Sequence, residues 1–252
     1  MSKSDIAANR RPLHRPETLA ARVAKELREE LRTRSVVSGR LPAESVLAAQ
    51  FGVSRGTVRQ ALTILERDGF ILRRQGSGTY VHKYISRVQS RAEHAYEFTE
   101  LLELAGFEAG IELISCETMA IAARMAVQLD VEPDTDVLVV RKIFLADGSP
   151  AIYCQDFIPV GLIVEPYEQV ELEQPIFDFM HQRCHQASVQ NMAEIIPVVA
   201  TQELARLLDM GEGDPLLKID ETGYNSAGEP NVFTRAYYKD KYIRFSLLRT
   251  RI

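Results

Sequence analysis

The chain has 252 residues, 46% of them hydrophobic, and a formal net charge of −5, which suits one large globular domain or two modest ones. No apolar run approaches the ~18 residues of a membrane span, and the polar, basic stretch from Met1 to Arg15 has no apolar signal segment. Three widely spaced cysteines, Cys116, Cys154 and Cys184, are typical of reduced thiols, so we expect a cytoplasmic protein without membrane contact.

The charge is divided unevenly along the chain. Residues 1–90 carry 17 basic and 8 acidic side chains, a balance of +9, whereas residues 91–252 carry 13 and 27, a balance of −14. A basic amino-terminal third on an acidic remainder is typical of a polyanion-binding module joined to a domain with another task. The charge pattern therefore favours nucleic-acid binding by the first third.

The first third begins as a series of helices. Residues 1–14 show no hydrophobic period and are predicted to be a flexible tail. Apolar residues repeat every four positions from Leu19 and predict a helix that ends near Thr33. A second helix is predicted to open after Pro42 and to end at the tight turn around Gly52.

The third helix has two faces of different chemistry. Ser54 is predicted as its N-cap, accepting a hydrogen bond from the backbone N–H of Thr57, and Gly69 as the left-handed residue that ends it. An apolar stripe at helical spacing lies opposite a polar face; the stripe is Val58, Ala61, Leu62 and Leu65, and the polar face is Arg55, Thr57, Arg59 and Gln60. Such a face suits a DNA major groove, although an ordinary helix with a solvated basic face has the same pattern.

A hairpin is predicted directly after this helix. Strands over 70–74 and 79–82 flank a turn over 75–78. The tip carries two arginines and two glycines, which suits contact with a minor groove or with phosphates, whereas the alternative is a plain surface hairpin. The candidate contacts here are Arg73, Arg74, Gln75, Gly76, Ser77 and Gly78.

These stretches resemble the winged helix-turn-helix of the GntR family of bacterial transcription regulators. The resemblance lies in Leu41-Pro42-Ala43-Glu44, Phe51-Gly52-Val53-Ser54-Arg55, Thr57-Val58-Arg59-Gln60-Ala61-Leu62 and Arg74-Gln75-Gly76-Ser77-Gly78-Thr79-Tyr80-Val81. It implies a DNA-binding domain over 15–83, with Arg55, Thr57 and Arg59 in the groove and Gly76 at the wing tip. Two positions depart from the family pattern: Ser45, also a candidate contact, stands where an Arg is common, and Gly56 stands where a second Thr is usual.

A linker is predicted over 84–93, and the remainder contains an internal repeat. Leu129-Asp130 recurs about 80 residues later as Leu208-Asp209, and each is followed by a strand, a turn ending in proline and another strand. A helix after Pro175 separates the two halves. Two such halves predict an α+β domain, a mixed sheet covered by helices, with a ligand cleft at their junction.

Residues 94–252 resemble the UTRA ligand-sensing domain of the HutC-type branch of the GntR family. The resemblance implies a chorismate lyase-like fold that binds a small effector and forms the homodimer. Relatives that bind phosphosugars commonly carry a Ser at Glu97, an Arg at Phe144 and acids at Cys154 and Val232, so we expect a less polar pocket and an effector that is not a phosphosugar. The pocket residues implied are Glu97, Phe98, Thr99, Arg141, Phe144, Tyr153, Cys154, Val232 and Tyr238.

The sequence carries no strong signal for catalysis, a metal or a cofactor. His181 and His185 are four apart on a predicted helix, but no fourth ligand lies near them, and no nucleophile–base pair stands out. We therefore expect a sequence-specific transcription regulator, a dimeric repressor released from a palindromic operator by a small molecule. An effector-dependent activator and an enzyme acting on a small acid remain alternatives, and Cys154 is either a pocket wall or an oxidant sensor.

Overall fold

A computed structural model describes residues 18–33, 39–74, 76–82, 90–92 and 95–247. The predictions for the tail over 1–14, for Gln75 and for most of the linker fall outside these residues. The pattern of contacts divides the chain into two units, with the boundary between Val88 and Gln89. None of the helices described is long and apolar enough to cross a membrane.

The first unit consists of three helices and a hairpin, as predicted. The elements are α1 (Leu19–Thr33), α2 (Glu44–Phe51), α3 (Arg55–Arg67), β1 (Ile71–Arg74) and β2 (Gly78–Val81). β1 and β2 are antiparallel, and an isolated bridge from Arg40 to Tyr80 extends the hairpin. The arrangement is a winged helix-turn-helix.

The apolar stripes of the helices form the core of this unit. Val58, Ala61 and Leu65 of α3 are completely buried and pack in one cluster with α1, α2 and the first hairpin strand. Gly69 has a φ of 73°, which ends α3 in the left-handed conformation that was predicted. Burial of the stripe fixes which side of α3 faces outward.

The second unit is built on a six-stranded sheet in the order β4-β5-β6-β9-β8-β7. A separate parallel pair, β3 with β10, lies outside the sheet. The elements are β3 (Ser90–Arg91), α4 (Phe98–Leu104), β4 (Ala109–Ala120), α5 (Ala123–Leu129), β5 (Asp136–Ala146), β6 (Ser149–Pro159), α6 (Ile176–Arg183), β7 (Gln190–Val199), α7 (Gln202–Leu208), β8 (Pro215–Tyr224), β9 (Pro230–Tyr238) and β10 (Phe245–Ser246), with 3₁₀ turns at Val160–Leu162 and Gln169–Leu172.

The strand order reflects the internal repeat. β4-β5-β6 and β7-β8-β9 are equivalent halves that meet at the β6–β9 pair, and α5 and α7 each end at a left-handed aspartate, Asp130 and Asp209. Every neighbouring pair in the sheet is antiparallel, which corrects the expectation of a mixed sheet. In each half a hairpin joins the last two strands, and the connection through α5 or α7 brings the chain back antiparallel to the first strand. The two-fold relation of the halves makes the central pair antiparallel as well.

Helices cover both faces of the sheet. Leu102 of α4 and Phe179 of α6 pack on one face, whereas Leu129 of α5 and Leu208 of α7 pack on the other. A strand residue therefore faces either the α4/α6 side or the α5/α7 side, according to its parity along the strand.

Candidate DNA interface and effector pocket

The start of α3 is capped as the sequence predicts. The backbone N–H of Thr57 donates to Ser54 Oγ at 3.1 Å, and the two side-chain hydroxyls are 2.9 Å apart. Arg55, Arg59 and Gln60 are exposed on the side opposite the buried stripe. This cap and the core behind it present the first turns of α3 to solvent, which is the geometry a recognition helix requires.

Arg59 is held by a carboxylate that the sequence did not single out. Its Nη2 lies 2.9 Å from Glu44 Oε2, and its Nε donates to Glu44 Oε1 at 3.3 Å. The hydrogen bonds from Arg59 lower the pKa of the Glu44 carboxyl. The bidentate pair orients the guanidinium from α2, while the Arg59 side chain remains largely exposed.

Arg73 braces the hairpin against α3. Its Nη2 donates to the backbone carbonyl of Arg59 at 3.0 Å, and its Nε lies 3.4 Å from Glu66 Oε2. The structure thus ties this predicted contact to the protein itself, so its first role is to fix the angle between wing and helix.

The tip of the wing is shaped by two glycines and two arginines. Gly76 and Gly78 have φ values of 72° and 111°. A Cβ at Gly78 would lie 2.7 Å from Arg40 Nε, so the arginine lies directly over this backbone. Arg74 lies over the Tyr80 ring at 5.2 Å. Sequence reasoning missed Arg40, because an isolated bridge to Tyr80, far along the chain, places it beside the wing.

Two other predicted DNA contacts lie near this surface. Ser45 is exposed at the start of α2, and Ser77 is exposed in the wing turn, where its Oγ is 2.8 Å from the Tyr80 hydroxyl. Their assignment to DNA stays a prediction.

The α4/α6 face of the sheet holds a pocket with an empty volume of about 630 Å³, its open mouth included. Of the predicted pocket residues, Glu97, Phe98 and Tyr238 line it. Sequence reasoning missed Glu221 and Thr234, which are register partners on β8 and β9. Strand alternation was the signal for Thr234, because it lies four residues before Tyr238 on β9 and so faces the same side of the sheet.

Several predicted residues lie behind the pocket wall. Phe144 and Cys154 are completely buried beneath it, with the Phe144 ring 4.8 Å from that of Phe98. Val232 is buried beside α6, and Thr99 lies on α4 outside the lining. These side chains shape the wall, but the structure does not bring them to the cavity surface.

Arg141 and Tyr153 lie on the opposite face of the sheet. Arg141 bonds Ser115 and Glu117, and Tyr153 packs in the cluster beneath α7. Strand alternation is the reason, because the cation that faces α6 from β5 is the next residue, Lys142. Placing Arg141 and Tyr153 in the pocket therefore needs correction.

A buried polar network lies behind the pocket. Lys142 and Asp156 are 0% and 1% exposed, and Lys142 Nζ lies 3.9 Å from Asp156 Oδ2. Lys142 also donates to the carbonyl of Gln174 at 2.7 Å, and the Thr234 hydroxyl donates to Asp156 Oδ1 at 2.7 Å. The network connects the pocket lining, through Thr234, to Gln174, two residues before the start of α6.

Burial governs the ionisation of the groups around this network. It raises the pKa of Asp156, against the opposing effect of Lys142. It also raises the pKa of the Cys154 thiol well above its usual range, and Cys154 Sγ is 3.8 Å from Asp156 Oδ2. A buried, protonated thiol of this kind argues for a structural role rather than oxidant sensing. His185, which the sequence offered with His181 as a candidate metal ligand, lies at the surface with its Nε2 2.7 Å from Glu165 Oε1.

The two units match two known protein families. The model described as "Bacterial regulatory proteins, gntR family" matches residues 19–81, and the UTRA domain model matches residues 104–244. The chain belongs to the GntR family. Its pairing of a GntR helix-turn-helix with a carboxy-terminal UTRA domain is that of the HutC-type branch.

Several relatives of this GntR protein are named as repressors. It is 28% identical over 239 residues to the mannosyl-D-glycerate transport/metabolism system repressor MngR of Escherichia coli K12, covering 94% of this chain and 98% of that protein. It is 29% identical over 203 residues to the transcriptional repressor NagR of Bacillus subtilis 168, covering 80% and 82%.

A solved structure has the same fold. The crystal structure of the possible transcriptional regulator YydK from Bacillus subtilis superposes with a TM-score of 0.74, at 20% identity, over 92% of this chain and 100% of that one. The two domain matches and the named relatives make the GntR protein a DNA-binding transcription regulator with a UTRA domain for a small-molecule effector, in a family of regulators rather than enzymes.

Proposed function

We propose that this GntR-family regulator is a cytoplasmic repressor that binds a palindromic operator as a homodimer and leaves it when a small molecule fills the UTRA pocket. The repressor names of MngR and NagR support the sign of regulation. The observation that carries DNA binding is the exposed face of α3, capped at Ser54, beside a wing with arginines at its tip.

The outer edge of β7 supports the homodimer. β7 ends the sheet order, and no described strand pairs with its outer side. Val189, Met192 and Val199, at or next to this strand, are exposed to 58%, 65% and 63%. A long apolar edge strand favours association with a second chain, which would cover these side chains.

The same strand offers a route from ligand to DNA. Ala193 and Ile195 of β7 line the pocket. A bound molecule therefore contacts the strand that we place at the dimer interface, and it favours one arrangement of the two subunits over another. Because an operator fixes the spacing of two recognition helices, a changed arrangement lowers operator affinity.

The first experiment selects binding sites from random DNA with the full-length protein and measures affinity by fluorescence anisotropy. We expect a palindromic site, a dimer by sedimentation, and steep weakening as salt rises. Arg59→Ala should weaken operator binding about 10- to 100-fold, whereas the matched loss of charge in the second unit, Arg124→Ala, should leave it unchanged. A non-palindromic site, or equal effects of the two variants, would contradict the proposal.

A reporter gene placed behind the selected operator tests the sign of regulation. Expression should fall when the protein is present and recover when an effector is supplied. A rise in expression on adding the protein would make it an activator instead.

A further inference from the structure

The polar lining of the UTRA pocket is acidic. Glu97 and Glu221 both line it, and none of its described lining residues is a lysine or an arginine. Lys142, behind the wall, is completely buried, and its ammonium group is already bonded to the carbonyl of Gln174. Among the described residues, the cavity thus presents two carboxyl groups to an occupant and no basic side chain.

The two carboxylates retain capacity for hydrogen bonds. Asn191 donates to one oxygen of Glu221, Oε1. Glu97 is the N-cap residue of α4, yet its side chain makes no capping bond, and no described residue donates to its carboxylate. Carboxylates withdrawn from water in this way are stabilised by a donor that carries positive charge.

Aromatic rings, together with aliphatic side chains, form the apolar part of the cavity. The Tyr238 ring lies 6.0 Å from that of Phe98 and 5.1 Å from that of Phe245, both edge to face. Tyr96 and Phe177 also line the pocket. Rings around a carboxylate pair suit a cation with an apolar body, because ring faces attract positive charge and the body fills the apolar space.

We propose that the effector of this protein is an organic cation: a small molecule whose ammonium group is bound by Glu97 and Glu221 and whose apolar or aromatic body lies among the pocket rings. The proposal rests on the proposed function, since it names the ligand class of that pocket. A phosphate group would meet two carboxyl groups, with no basic side chain among the described lining residues, and like-charge repulsion disfavours that. This agrees with the expectation from sequence that the effector is not a phosphosugar.

The ionisation of Glu97 agrees with a cationic ligand. Burial raises the pKa of Glu97 to about 7, and nearby acids add to the rise while Lys142 opposes it. A bound ammonium ion supplies the missing counter-charge, so amine binding below pH 7 should release a proton to buffer. The groups that act on Glu97 are Asp178, Asp156, Lys142 and Glu100, and Glu221 shares the cavity with it.

The test compares ligands that differ only in charge. Benzyl, 2-phenylethyl and cyclohexylmethyl frames are each offered as primary amine, alcohol and carboxylate, with glucose 6-phosphate as the phosphosugar probe. Calorimetry measures binding to the full-length protein, and anisotropy measures release from the operator. We expect the amine to bind at least about tenfold more tightly than its alcohol and carboxylate partners in one frame or more.

Variants link this preference to the pocket. Glu97→Gln and Glu221→Gln should each reduce the amine preference by about tenfold, whereas Glu112→Gln, the same change at an exposed site on β4, should retain it. Circular dichroism checks that each variant is folded. The proposal is overturned if no frame favours its amine, if the phosphosugar binds best, or if Glu97→Gln leaves the preference intact.

The two proposals can fail separately. An amine that binds through Glu97 without releasing the operator contradicts the effector role but keeps the ligand class. Operator release by the phosphosugar alone contradicts the ligand class but keeps the effector role.

Discussion

Replacing Asp156 by alanine should strongly destabilise the second unit. Lys142 is completely buried. Among the described residues its ammonium group donates a hydrogen bond to the carbonyl of Gln174 and forms an ion pair with Asp156, 3.9 Å away. Breaking a buried ion pair costs about 3–5 kcal/mol, because the remaining charge is left uncompensated in an apolar interior. The hydroxyl of Thr234 loses its acceptor as well, which adds about 1 kcal/mol.

In a unit of this size, about 1 kcal/mol corresponds to about 2–4 °C in Tm, so the total loss of about 4–6 kcal/mol should lower Tm by about 8–24 °C. Scanning calorimetry of the full-length protein measures it. Lys142→Met together with Asp156→Ala removes both charges and should recover at least half of the loss, and Asp240→Ala, at an exposed turn, should change little. A loss below about 1 kcal/mol in Asp156→Ala, or a double variant less stable than the single one, would refute the ion-pair reasoning.

Three further predictions concern the other sites. Glu44→Gln releases Arg59 and removes a negative charge near the DNA, so the affinity for DNA of any sequence should rise a few-fold and its salt dependence should steepen. Anisotropy across a salt series measures both, and weaker binding would contradict the prediction. Gly78→Ala should lower the stability by about 1–3 kcal/mol and weaken operator binding, because the new Cβ would meet Arg40. Gly76 also has a positive φ but open space around it, so Gly76→Ala should lower the stability by only about 1 kcal/mol; an equal fall in Tm for the two variants would count against the contact with Arg40. Because the pKa of Glu97 is raised, the folded protein binds more protons than the unfolded chain between about pH 4.5 and 7, and its stability falls as pH rises through this range. Glu97→Gln should therefore stabilise the protein by about 2 kcal/mol at pH 8 and little at pH 5. Thermal melts in which the difference between the two proteins does not change with pH would disprove this.

Local signals in the sequence determined the DNA-binding unit. The stripe of α3 is a pattern within one short segment, and its cap at Ser54 and its end at Gly69 depend on residues close in the chain. Periodicity and capping rules therefore suffice to predict all three. The repeat in the second unit was visible for the same reason. Asp130 and Asp209 each end a helix in the left-handed conformation, and such an end depends on local backbone.

The tertiary structure decided which residues meet in the pocket. From Val137 to Val140 the strand β5 is buried on both faces, so its sequence lacks the alternation that would show whether Arg141 or Lys142 faces α6. A slip of one residue exchanges the two faces. Only the packing of the helices selects Lys142 for the pocket side.

Long-range pairing supplied the remaining parts of both sites. Glu97 and Glu221 come together because α4 covers a sheet whose two halves join at β6 and β9. Arg59 meets Glu44 because α2 packs against α3. The sequence by itself determined the elements of the DNA-binding unit, the repeated helix, strand, hairpin and strand of the second unit, and the family resemblance, because these depend on short-range patterns. It did not predict β4 and β7, the outer strands of the two halves. The acidic, aromatic cavity depends on contacts between residues far apart in the chain, which no local pattern encodes.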